Sequence, residues 1–130
     1  MEYRSKCFEY FNAHPKGIKT TDCVVRACST ALGTDYLEER RNLNRAKREL
    51  GYSSYKDRKF LYDYLKNYER LLFKAVAGEP RLKAYEFANE HPKGTYILSL
   101  RGHATVCIDG KIKDTWDCGY LTVYTAWRIK

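Results

Sequence analysis

Up to about residue 90 the apolar positions recur at steps of three and four. After Gly94 the pattern changes to short apolar runs that look like strands, so helices are expected first and strands second. Val24, Ala27, Cys28, Ala31 and Leu32 form one buried face, with Thr20, Thr21 or Asp22 placed to cap a helix from about Cys23 and Gly33 placed to end it. Asp35 with Glu38 reads as a capping box. A second helix then carries Tyr36, Leu43 and Leu50 one heptad apart, with Ala46 between, and stops at Gly51. Leu61, Tyr64, Leu65, Tyr68 and Leu72 predict a third helix from about Asp57. Pro80 is placed to open a fourth, with Leu82, Tyr85 and Ala88 inward.

The remainder predicts strands at Thr95 to Leu100, His103 to Asp109, Lys111 to Trp116 and Tyr120 to Ile129. Asp109-Gly110 is a hairpin turn signal between two of them. Helices followed by an antiparallel run give an α+β class in one domain spanning 1–130, helical to about residue 90 and sheet from about 95. One short echo exists. Asn12-Ala13-His14-Pro15-Lys16-Gly17 recurs as Asn89-Glu90-His91-Pro92-Lys93-Gly94, and its plainest meaning is the ending of an element by Pro and Gly.

Composition narrows the class. The chain has 130 residues, 44% hydrophobic and 31% charged, a globular balance. No apolar run is long enough to span a membrane, and Met1 to Lys6 carry charge with no apolar stretch behind it, so neither a membrane anchor nor a signal peptide is expected. The five cysteines (Cys7, Cys23, Cys28, Cys107 and Cys118) are odd in number and include no C-x-x-C pair. Reduced thiols in a cytoplasmic protein are therefore expected rather than a disulfide framework. A zinc site from His103, Cys107 and Cys118 lacks the usual paired spacing, so no metal is expected.

Candidate chemistry begins at Thr20-Thr21-Asp22-Cys23-Val24-Val25-Arg26-Ala27. It puts a thiol in the first turn of a mostly apolar helix, where the helix dipole and free N–H groups favour the thiolate. Cys28, by contrast, falls on the apolar face. Gly102-His103-Ala104 opens a strand with an imidazole, the base that a thiol nucleophile needs. Asp114-Thr115-Trp116-Asp117 follows one hairpin later, so Asp114 is placed to fix the imidazole tautomer and Trp116 to shield the contact. Asp117 is the alternative orienter. Arg26 is placed either to favour the thiolate or to pair with Asp22 or another acid.

This order of Cys on an early helix, His on a distant strand and an acid on the next resembles the papain-like cysteine peptidase superfamily. Asp22-Cys23 with Ala27 is similar to the C39-like leader-processing peptidases. Asp114-Thr115-Trp116 resembles both the Asn-Ser-Trp of papain-type enzymes and the Asp-Pro-Trp of the C39-like group. The N-terminal pattern also looks like small phage- and bacteria-encoded proteins. The match lies at the two ends of the chain, and about Asp35 to Asn89 carries no family motif. The resemblance implies a minimal papain-like core, the nucleophile helix packed on the C-terminal sheet. It also implies Cys-His-Asp hydrolysis of a peptide, isopeptide or related amide or thioester bond, with no cofactor. Acyl transfer to a second amine would use the same residues.

One departure matters. The family's oxyanion-hole Gln, six residues before the nucleophile, is replaced by Gly17, and the chain contains no Gln. The Cys23 backbone N–H, helped by Asn12 or Lys19 and supported by Asp22, is the expected substitute. The alternative is a papain-like scaffold without catalysis, binding an acidic protein or nucleic acid through its basic, Tyr-rich helices. The charges on those helices alternate in sign, as on a solvated face, and no nucleic-acid motif is present. A net charge of +8 and twelve tyrosines, many of them in the middle, then point to an acidic protein or peptide substrate gripped by residues 36 to 83.

Overall fold

The computed structural model describes residues 6–130 as a mixed α+β fold of four helices and a six-stranded sheet. Residues 1–5, most of the stretch bearing on a signal peptide, lie outside the described residues. The helices are α1 (Cys23–Leu32), α2 (Tyr36–Leu50), α3 (Arg58–Tyr64) and α4 (Ala84–Glu90). The strands are β1 (Phe8–Tyr10), β2 (Glu69–Leu72), β3 (Thr95–Leu100), β4 (His103–Ile108), β5 (Lys111–Asp114) and β6 (Val123–Arg128). Among the described residues no helix is long and apolar enough to cross a membrane.

The sheet order is β1-β5-β4-β3-β6-β2. The β3–β4 and β4–β5 hairpins are antiparallel, as the turn signals require, and Gly110 takes φ 78° where the second hairpin reverses. The sheet is nevertheless not wholly antiparallel. β1 runs parallel to β5 at one edge, and β2 pairs antiparallel with β6 at the other. Both edges thus come from the half read as helical. The third helix stops at Tyr64 rather than reaching Leu72, because residues 69–72 spend their backbone groups on β6 instead of on a further helical turn. The fourth helix begins at Ala84, not Pro80. Lys83 still bridges to Thr122, and its N–H donates to the Glu86 carboxylate at 2.8 Å. β5 ends at Asp114, and the last strand starts at Val123.

Capping follows the sequence more closely. The Asp35 carboxylate accepts from the N–H groups of Leu37 and Glu38, and Gly33 and Gly51 close α1 and α2 with left-handed φ of 73° and 81°. Leu43 is fully buried in α2 while Leu50 lies 45% exposed, so the heptad's last position points outward. Two cores result. Val24, Ala27, Cys28, Leu43, Phe60 and Leu61 of α1–α3 meet Ile97, Val106 and Trp127. Ala84, Phe87 and Ala88 of α4 meet Leu98, Cys107, Ile112 and Ala126. The two copies of the short echo differ in structure. The first is a turn in which Gly17 N–H donates to His14 O, while the second ends α4 and fixes Gly94 N–H on Asp109.

Candidate active site

Sequence-distant groups meet where α1 begins, β4 begins and β5 ends. Cys23 is the first residue of α1, His103 the first of β4 and Asp114 the last of β5. The His103 ring takes Asp114 on Nε2, 2.7 Å from Oδ2, and lines one cavity with Cys23 and Ala104. Cys23 is the partly exposed member of the five free thiols, and the other four are buried. It opens onto a cavity of about 340 Å³ with His103, Ala104, Val24, Leu61 and Leu100, and with Lys56 and Arg58 as its cations.

Asp114 is 1% exposed, yet its carboxylate is fully served. Oδ2 accepts from His103 and from Thr105 Oγ1 at 2.7 Å, and Oδ1 from Arg26 Nη1 at 2.8 Å and its neighbour's N–H, Thr115, at 2.7 Å. A buried carboxylate is tolerated only with such a donor set. Arg26 continues the chain, its Nε donating to Asp22 Oδ1 at 2.8 Å, and Tyr36 donates to Asp22 Oδ2 at 2.6 Å. Charges therefore alternate from Cys23 through His103, Asp114 and Arg26 to Asp22. The expectation that Arg26 pairs with an acid is met by two acids at once.

The electrostatics follow. Burial disfavours the His103 cation, but the Asp114 hydrogen bond, the contacts with Cys118 and Cys23 and the Asp114 charge outweigh it and push its pKa up to about 11. Burial would raise Asp114, yet His103 and Arg26 hold it well below the usual carboxylate range. Burial also opposes the Cys23 thiolate. The His103 hydrogen bond and charge, the Ala104 N–H and the Arg26 charge together bring Cys23 below an ordinary thiol. The other four thiols are moved the opposite way by burial, Cys107 to about 12.

The remaining candidates fall elsewhere. Trp116 stacks obliquely on His103, ring centres 4.8 Å apart, and stays 40% exposed. Asp117 is not at the imidazole; its carboxylate accepts from Gly119 N–H at 3.1 Å and shapes the turn. Asn12 does not line the cavity. Its amide donates to Ile18 O and accepts from His14 N–H, so both ends are used within its own loop. Lys19 lies over the Tyr10 ring, 5.7 Å from its centre, also away from the cavity. Asp22 supports the site through Arg26 but makes no side-chain cap on α1, leaving the first-turn N–H groups beside Cys23 without that carboxylate.

Sequence reading missed two partners. Cys118 has Sγ 3.5 Å from Asp114 Oδ2, close beside the His103 ring. His103, Asp114 and Cys118 bring three potential metal donors within 4.8 Å, whereas Cys107 is not in that group. A cation there would have to displace the hydrogen bonds of Asp114 beside the Arg26 guanidinium, so the donor set fits an ion-pair chain better than a metal. Lys56 was read as part of a solvated face. It lines the cavity, with Nζ 3.2 Å from Thr21 Oγ1.

No protein-family model matches the chain, and no curated protein or solved structure matches it either.

Proposed function

We propose that this chain is a papain-like cysteine hydrolase acting on a peptide, isopeptide or related amide or thioester bond. The observation that carries the reading is that His103, bonded to Asp114, shares a cavity wall with Cys23, whose sulfur sits at a helix N-terminus. With Asp114 on Nε2, the other ring nitrogen, Nδ1, is left to exchange a proton with the thiol, as a nucleophile, base and orienter require. The Cys23 thiolate attacks the carbonyl carbon. The carbonyl electrons move to oxygen, which meets the first-turn N–H groups of α1. As the C–N bond breaks, imidazolium His103 gives its proton to the leaving amine and a thioester remains. Water then attacks the thioester while His103 takes its proton, the C–S bond breaks, and the acid leaves with thiolate and imidazolium restored. A second amine in place of water gives acyl transfer. No metal or organic cofactor is needed, and reduced thiols suit a cytoplasmic site of action.

The rival, a papain-like binding module without catalysis, is favoured by one observation. Neither Asn12 nor Lys19 reaches the cavity to replace the absent oxyanion side chain. Incubation with a mixed peptide and isopeptide library, read by mass spectrometry, separates the two. Cleavage by the native chain that vanishes in Cys23→Ala supports the hydrolase. No cleavage by either protein supports the binding module.

A further inference from the structure

Resting on the cysteine-hydrolase reading, we infer that the Cys23 cavity is an anion subsite in which Lys56 and Arg58 select an acyl group carrying a carboxylate close to the scissile carbonyl. Both cations line the same cavity as Cys23 and His103. Among the described residues neither has a carboxylate within ion-pair distance. Lys56 Nζ bonds only the Thr21 hydroxyl, at 3.2 Å, and the Arg58 guanidinium lies over the Tyr124 ring, 5.0 Å from its centre. The cavity's own acid, Asp57, spends its carboxylate on the Lys59 N–H that begins α3, at 2.9 Å.

The placement of Lys56 runs against the helix. Thr21 lies two residues before Cys23, so the ammonium is held near the positive end of α1. A cation there is unfavourable on the chain's own account, because helix N-termini attract anions. The carboxylate that would ordinarily answer it, Asp22, is turned away to Arg26 and Tyr36. Two cations and the start of α1 therefore converge on one cavity where, among the described residues and apart from the reacting sulfur itself, the lining carboxylate Asp57 makes no ion pair with either cation. The apolar lining from Val24, Leu61 and Leu100 gives an aliphatic stem somewhere to lie. At about 340 Å³ the space is at the small end of ligand sites and suits one or two residues of a chain. An acidic side chain such as glutamate meets each of these demands: apolar stem, terminal carboxylate, neighbouring carbonyl at the sulfur.

The probe pair is iodoacetate and iodoacetamide, which differ by one negative charge and alkylate the same sulfur. The readout is the ratio of their rate constants at Cys23, followed by peptide mapping in the full chain. Removing one cation at this range should lower the ratio about 3- to 10-fold in Lys56→Met, and further in Lys56→Met with Arg58→Met. Lys93→Met carries the same loss of charge at the opposite end of β3 and should leave the ratio within about 1.5-fold of native. Raising salt to about 1 M should shrink the difference between native and Lys56→Met. A ratio that stays the same in Lys56→Met and in the double variant overturns the subsite, even where Cys23 reacts rapidly with iodoacetamide. A Cys23 that reacts with iodoacetamide no faster than an ordinary thiol overturns the hydrolase reading beneath it.

Discussion

Two thiols feel the His103 charge, and the fold treats them in opposite ways. On the cavity side, Cys23 meets the imidazole, the Ala104 N–H and the start of α1, and its thiol is lowered. On the buried side, Cys118 meets the same imidazole but also faces the Asp114 carboxylate at 3.5 Å, with no exposure, and its thiol is raised. Proximity to a histidine is therefore not by itself what lowers a thiol. The difference comes from what else surrounds the sulfur: N–H groups and solvent in one region, burial and a carboxylate in the other.

The largest way to break this contrast is to unbalance the charge chain that both sulfurs share. Arg26→Met leaves Asp22 and Asp114 buried without their guanidinium. It should cost about 3–5 kcal/mol in urea unfolding, as breaking a buried pair does. Asp114→Asn should cost a similar amount and also return Cys23 towards ordinary thiol behaviour, because His103 loses the partner that keeps it charged. A destabilisation below about 1 kcal/mol in both variants would mean that the chain is solvated.

A second prediction concerns pH. His103 is raised from 6.5 to about 11, so its contribution to stability is complete below about pH 6.5 and is lost as pH rises towards 11. Asp114 is lowered from 3.8, so its contribution is complete above about pH 4 and is lost as pH falls further. The urea midpoint should therefore be highest between these limits. It should decline on the alkaline side less steeply in His103→Ala than in the native chain.

Smaller effects sharpen the contrast. Cys118→Ser should move the pH midpoint of Cys23 alkylation by less than about half a unit, since Cys118 packs the acid's side of the ring and not the thiolate's. A larger shift would make Cys118 part of the titrating set. Trp116→Ala should change the Cys23 alkylation rate only a few-fold. The half-exposed indole adds about 0.5–1.5 kcal/mol of ring contact to His103 without touching the sulfur's other partners.

How much of this was legible in the sequence depends on whether the signal was local. The end of α1 and both ends of α2 were readable because Gly33, Asp35 and Gly51 act within a few residues, and β3 to β5 because a turn signal or glycine separates each apolar run. β1 and β2 were not. They are edge strands of three and four residues, largely exposed, and what holds them is backbone pairing rather than a side-chain pattern. In the site, Cys23, His103 and Asp114 were legible as residue types in a suggestive order. The second partner of Arg26, Asp114, was not, since 88 residues separate the two and only the fold brings them together. Lys56 was hidden for the same reason: a lysine among mixed charges looks solvated until the chain folds it over the start of α1.

The central claim is that Cys23 and His103 form a thiolate–imidazolium pair. Its most direct measurement is the pH dependence of iodoacetamide alkylation at each of the five thiols, in the native chain and in His103→Ala. Cys23 alone should react at pH 6, about 10- to 100-fold faster than in the variant, whose midpoint should move to the ordinary thiol range near 8.5. A Cys23 profile that is the same with and without His103 would contradict it.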